Sequence, residues 1–142
     1  MSRNAIYDAL MEVGAGLIGT SFGTMQESGR RLKMWDRVQK PAIFQVEPDD
    51  MVKSQIGQLS KRTLKVTWVI YHAAGKDQSA TPAAVSADIL DAIDAALPAL
   101  PGMYQTLGGL VVSAFVDGTI KKFEGDLDGQ TIITVPISIL VP

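Results

Sequence analysis

Hydrophobic positions change period along the chain, and each change marks an element. Through "RNAIYDALMEV" and just beyond, Ile6, Leu10, Val13 and Leu17 recur at steps of three and four, with Arg3, Asp8 and Glu12 mostly elsewhere. That spacing predicts an amphipathic helix, with Ser2 or Asn4 as its cap. From Thr63 the period falls to two. In "TLKVTWVIYH", Leu64, Val66, Trp68 and Ile70 share one face and Lys65, Thr67, Val69 and Tyr71 the other, which predicts a strand with its apolar face in a core. Helical spacing returns in "PAAVSADILDAIDAAL", where Val85, Ile89, Ile93 and Leu97 align while Asp88, Asp91 and Asp94 project elsewhere. Thr81 before Pro82 suits the N-cap, and Pro98 and Pro101 end the helix.

The remaining segments read as strands and loops. "GGLVVSAFVDGTIKKFEG" and "QTIITVPISILV" predict two long strands joined at "DLDG", with Ile133, Val135, Ile137, Ile139 and Val141 alternating toward the core. "RRLKMWD" and "PAIFQVEP" are short strand-like pieces separated by "RVQK", an edge or an early hairpin punctuated by Pro41 and Pro48. "AAGKDQSAT" reads as loop. Residues 49–61, "DDMVKSQIGQLSK", show little periodicity and predict a projecting loop of the length that tends to be functional. The order α, β strands, α, β hairpin predicts one α+β domain over residues 1–142, with an antiparallel or mixed β-sheet packed against two main helices.

Composition narrows the function classes. The chain has 142 residues, enough for one core but too few for a nucleotide domain plus a substrate domain. Its net charge is -2 with scattered basic residues, so no basic patch marks sequence-specific nucleic-acid binding. Cysteine is absent, which excludes disulfides, thiolate metal sites and cysteine nucleophiles. Asp8 and Glu12 interrupt the N-terminal apolar residues, against a signal peptide or a membrane span.

One motif asks for a nucleotide. "GAGLIG", residues 14–19, is a GxGxxG, and Asp36 follows seventeen positions later, as a dinucleotide crossover requires. The motif has that meaning only between a buried strand and a helix N-terminus, and here a helical pattern precedes it. Glycines softening a helix end are the better reading, with a small dinucleotide-binding enzyme as the alternative. Asp117, Glu124, Asp126 and Asp128 have the oxygen chemistry of a calcium site, but "DLDG" lacks an EF-hand spacing and fits a turn. The single histidine, His72, cannot form a histidine pair on a metal, and no serine lies in a GxSxG elbow. Neither an enzyme, a cofactor nor a metal site is expected. Trp68 reads as core, whereas Trp35 beside Arg37 stays a candidate surface aromatic. The acidic residues of the second helix read as a solvated face, or as the lining of a channel in a ring.

Two long segments carry a resemblance. "RRLKMWDRVQKPAIFQVEPDD" resembles the N-terminal half of siphophage-type tail terminator proteins, in which a basic, tryptophan-containing segment precedes a "QPALF"-like strand; here Gln39, Lys40, Pro41, Ala42, Ile43 and Phe44 stand there, Lys40 being an insertion. "YQTLGGLVVSAFVDGTIKKFEGDLDGQTIITVPISILVP" is similar to their C-terminal half, and the likeness runs from about Arg30 to Pro142. It implies a structural virion protein that forms a homohexameric ring, caps the tail tube, stops its polymerisation and offers a head-attachment surface. The implied partners are further copies of itself, the major tail tube protein and a head completion or connector protein, with DNA only in transit and no membrane. The implied location is the head-tail interface of a virion assembled in the host cytoplasm. Another tail-completion or connector-adaptor subunit is the neighbouring alternative. On this reading the segment 49–61 is the expected subunit or tube contact: Met51, Val52 and Ile56 as apolar anchors, Lys53, Gln55 and Gln58 around them, and Trp35 and Arg37 as further candidates.

Overall fold

A computed structural model describes residues 2–73, 82–124 and 130–142. The predicted loop over 73–81 with its Thr81 cap, and the "DLDG" turn with Asp126 and Asp128, fall essentially outside the described residues. The elements run α1 (Arg3–Ala15), β1 (Ile18–Gly19), β2 (Gly23–Thr24), β3 (Glu27–Gly29), a 3-10 turn (Trp35–Arg37), β4 (Ala42–Lys53), β5 (Lys61–Ala73), α2 (Pro82–Ala96), β6 (Ser113–Val116), β7 (Lys121–Glu124) and β8 (Gln130–Val141). The domain is α+β, with a mixed sheet in the order β3-β4-β5-β8-β6, β7 also pairing with β8. Among the described residues only the β3–β4 contact is parallel.

Alternation decides which face of the sheet is buried. Leu64, Val66, Trp68 and Ile70 of β5 lie opposite Ile139, Ile137, Val135 and Ile133 of β8, forming the floor of the core. Ile6 and Leu10 of α1, and Ile89 and Ile93 of α2, close it from above. Ser2 caps α1 by accepting from the Ala5 amide at 3.3 Å. The buried stripe of α1 is Ile6, Tyr7, Leu10, Met11 and Gly14, while Val13 is only partly buried. The stripe thus sits a little to one side of the face that aliphatic spacing alone suggests. Tyr7 is included because its ring packs inward while its hydroxyl reaches Asp50 at 3.1 Å.

Three sequence expectations need correction. "RRLKMWD" forms no strand; it is irregular chain ending in the 3-10 turn, and the edge strand is the preceding "ESG" of β3. "GGLVV" is not strand either, because Leu107, Gly108 and Gly109 all have positive φ (52°, 73° and 90°), a left-handed stretch that no strand accommodates. The predicted long strand is consequently two short ones, β6 and β7, with residues 117–120 between them. The predicted loop 49–61 is shorter than expected: β4 extends to Lys53 and β5 begins at Lys61, leaving residues 54–60 as the turn. A bulge between Val46 and Asp49 shifts the register there, which resets the alternation that would have announced the strand.

The two ends of the outer face differ. At one end the chain 33–41 packs over Val38, Ala42, Phe44 and Tyr71, and the Tyr71 hydroxyl donates to the Lys33 carbonyl at 2.9 Å. Halfway along, Lys65 Nζ donates to Ser138 Oγ at 2.7 Å, and Ser138 donates to Asp117 at 3.0 Å. At the other end the face is open.

Candidate functional site

The β4–β5 hairpin is built to hold its tip in one shape. Gln58 N–H donates to the Gln55 carbonyl at 3.0 Å, and Gly57 has φ +82° at the third position of that turn, where a type II turn requires glycine. Ser54 and Ser60 hydroxyls meet at 2.8 Å across the mouth of the loop. Ile56 therefore occupies the second position of the turn and points outward. It is 104% exposed, and Leu59 is 96% exposed. Met51 and Val52, one strand step lower, are also exposed. An isolated exposed aliphatic is ordinary, whereas Met51, Val52, Ile56 and Leu59 are all exposed within one hairpin end.

Charge at the tip is one-sided. Lys53 and Lys61 are directly opposed as the last pair of the ladder, and Arg62 faces Val52 in the pair below. Like charges directly opposed across strands destabilise a hairpin. Between Met51 and Thr63 the sequence holds three basic residues and no acidic one. The hairpin's base, in contrast, is clamped by ion pairs. Arg3 Nε reaches Asp50 at 2.7 Å, while Arg30 bonds Glu47 at 2.6 Å and Asp8 at 3.0 Å, its guanidinium lying 5.1 Å from the centre of the Tyr7 ring. Burial, then the Asp50 charge and its hydrogen bond, push the Tyr7 phenol up to about 12.

Met51, Val52, Lys53, Gln55, Ile56 and Gln58 come together at this tip. Trp35 and Arg37 do not: Trp35 packs on Tyr71 with ring centres 5.2 Å apart and carries Lys40 Nζ 4.6 Å above it. Tyr71 pairs with Ala42 at the far end of a strand of 12 residues, roughly 35–40 Å of β4 away. Trp35 is half-buried there and Arg37 exposed.

Sequence reasoning missed two features. Leu59 is exposed at the tip beside Ile56. A second apolar surface lies on the open end of the outer face, a groove of about 320 Å³ lined by Ala99, Tyr104, Val112, Ser113, Phe115 and Leu140. Leu100 and Met103 are exposed beside its lining loop. The signal for it was "LPALPGMYQTLGGLVV", in which apolar residues alternate with the prolines and glycines of a surface loop.

The glycine motif has a packing explanation. Gly14 is inside α1, where a Cβ would lie 3.0–3.1 Å from Ile43, Met11 and Trp68 side chains; Gly16 is the C-cap; Gly19 lies against Phe22 and Asp88. The motif closes a helix instead of opening one, so the helix presents its carbonyl end there, the wrong polarity for a pyrophosphate. His72 is buried, with Nε2 2.7 Å from the equally buried Ser86 hydroxyl. Among the described residues no group of three or more His, Asp or Glu is arranged to hold a metal ion, and no helix is long and apolar enough to cross a membrane. A comparison with protein-family models found no match, and a search of curated proteins found no related sequence.

Proposed function

We propose that the chain is a structural subunit of the siphophage tail-terminator type, forming a ring that caps a tail tube, stops its polymerisation and provides the head-attachment surface. One observation carries the reading: the β4–β5 tip is ordered by its own hydrogen bonds yet presents Ile56 and Leu59 fully to solvent. A rigid apolar tip lowers the entropy lost on docking and suits a permanent contact between protein subunits. The two segments that carry the resemblance support it as well. The first forms the packed chain over Tyr71 and strand β4, and the second forms the groove-lining loop, β6, β7 and β8. Both contribute to surfaces at the ends and edge of the sheet, where a ring subunit meets its neighbours.

The test is the mass of the purified protein by light scattering, with negative-stain images of the same peak, followed by addition to elongating tail tubes. A sixfold ring with an open centre that arrests tube growth is the expected result. A protein that stays monomeric at high concentration and leaves tube growth unchanged overturns the proposal.

A further inference from the structure

The β4–β5 ladder ends in two charges of one sign. Lys53 and Lys61 are directly opposed there, and both line a cavity of about 120 Å³ at the hairpin tip, with Gln55, Gln58 and Leu59 as its other walls. Opposed residues share a face with their Cβ atoms roughly 5 Å apart, so both ammonium groups reach the same small volume while repelling each other. Among the described residues no carboxylate comes within ion-pair distance of either one. We propose that this cavity is an oxyanion site, seating one carboxylate or phosphate group between the two lysines.

The surroundings set this pair apart from other cations of the fold. Lys65, on the same face of β5, meets Asp117 at 3.5 Å and Ser138 at 2.7 Å; Lys33 meets Glu27 at 3.5 Å; Arg3 and Arg30 are tied to Asp50, Asp8 and Glu47. The tip has no such internal answer. Between Met51 and Thr63 the sequence holds no acid, and the next acid on that face of β4 is Asp49, roughly 13 Å along the strand from Lys53. Arg62 stands on the opposite face, the side of the buried Leu64, so it adds positive field without lining the cavity.

Donor type and size define the ligand class. Each ammonium offers three N–H donors and each glutamine amide two. The turn is closed by the Gln58 N–H bond to the Gln55 carbonyl at 3.0 Å and by the Ser54–Ser60 contact at 2.8 Å, so the backbone beneath the site is set before a ligand arrives. The cavity has room for about four waters at ~30 Å³ each, which suits a carboxylate or phosphate group; sites for larger molecules start near about 300 Å³. Lysines are point charges without the planar fork of arginine, so the site reads charge and takes both anions. A free anion and an acidic side chain on a partner share this chemistry, and only the second source rests on reading the tip as a subunit or tube contact.

The test is an NMR titration of the isolated protein with sodium phosphate and with glutarate, ionic strength being held constant with sodium chloride. Backbone amides of residues 54–60 and the side-chain amides of Gln55 and Gln58 should shift along a saturating curve for both anions. Lys61→Gln should raise the midpoint several-fold, and it keeps the fold because it removes a repulsion at the end of the ladder. Lys121→Gln, which alters a cation on the same outer face away from the cavity, should leave the midpoint unchanged. Shifts that grow linearly, or that respond to Lys121→Gln as much as to Lys61→Gln, overturn the site. The source of the anion is read on assemblies of the wild type. Phosphate at a filling concentration disrupts them where a partner's carboxylate is the natural occupant, and leaves them intact where a free anion is. If the protein never assembles, the ring reading falls and the titration still decides the site.

Discussion

The indole Nε1 of Trp68 donates to Oε1 of Gln45 at 3.0 Å, and solvent reaches neither side chain. Gln45 Nε2 in turn donates to the Tyr7 carbonyl at 2.9 Å. One buried amide thus links the central strand, its neighbour and the first helix, and it fixes the rotation of α1 over the sheet because no apolar contact is as directional.

Gln45→Leu removes both ends of that link while keeping volume. It leaves the Trp68 N–H buried without an acceptor, which costs about 1–3 kcal/mol. Chemical denaturation should show that loss with little change in its denaturant slope. Trp68→Phe in the same background should cost less than it does alone, because the orphaned donor is then gone; additive losses in the double-mutant cycle would show that the hydrogen bond is not the coupling.

The glycines of "GAGLIG" separate by their surroundings. At Gly16, φ is -90° and a Cβ would have only ordinary contacts at 3.4 and 3.7 Å. Gly16→Ala should therefore be neutral or stabilising by up to about 1 kcal/mol. At Gly19 a Cβ would collide with the Phe22 ring and the Asp88 carboxylate, so Gly19→Ala should lower the thermal midpoint clearly. Ser21 donates to Asp88 through both its amide and its hydroxyl, at 2.9 and 2.7 Å, and these bonds hold the carboxyl below the usual aspartate range. The clash at Gly19 falls on an anchored group. Neither variant should change any response to NAD, and the melting curve of the wild type with and without NAD should superimpose. A rise in midpoint with NAD would return the nucleotide reading to first place.

Tyr7 gives an alkaline signature. Its phenol is raised from about 10 to about 12 by burial, by the Asp50 charge and hydrogen bond, and by Glu47, against a smaller opposing effect of Arg3. A raised folded-state value means the stabilisation is complete below the unfolded value and is lost as pH climbs from about 10 through 12. Absorbance at 295 nm should show Tyr7 ionising near the end of that window, with Tyr71 also raised above the ordinary range by its burial. Asp50→Asn should bring that titration to lower pH. An unchanged curve in the variant would remove Asp50 as a cause.

What was legible in the sequence follows how local each signal is. The alternation of "TLKVTWVIYH" survives as β5 because helices cover one whole face of it, and α2 keeps Ile89 and Ile93 inward for the same reason. The register of β4 was hidden by its bulge, since one extra residue after Val46 puts Asp50, not Asp49, on the helix side with Arg3 and Tyr7. The end of "GGLVV" was misread because a left-handed turn depends on Leu107, a residue type that rarely adopts it. Leu107 is buried, and its amide donates to Gln105 Oε1 at 3.1 Å; burial and that bond offset the strain. The groove was invisible because it joins a loop after α2 to β6 and β8, residues some 40 positions apart. The candidate residues of the tip were read from composition and do lie together, but Trp35 and Arg37 were grouped with them on proximity in sequence that the length of β4 undoes.

The opposed lysines allow stability and assembly to be set against each other. Lys53 and Lys61 close the ladder side by side, so Lys61→Glu replaces a repulsion with an attraction and should stabilise the isolated subunit by roughly 0.2–1 kcal/mol. On the proposed reading the tip is a subunit or tube contact, so the same change, which removes positive charge from that tip, should weaken assembly. A tip with no partner has no reason to show this opposition, because its only effect would be on the hairpin. Thermal midpoints measured under dissociating conditions, beside light scattering at working concentration, read the two effects independently. A midpoint that rises while the mass falls is the expected pair. A midpoint that rises while the mass is unchanged would remove the lysines from the contact, and a midpoint that falls would mean that Lys61 already has a favourable partner within its own chain.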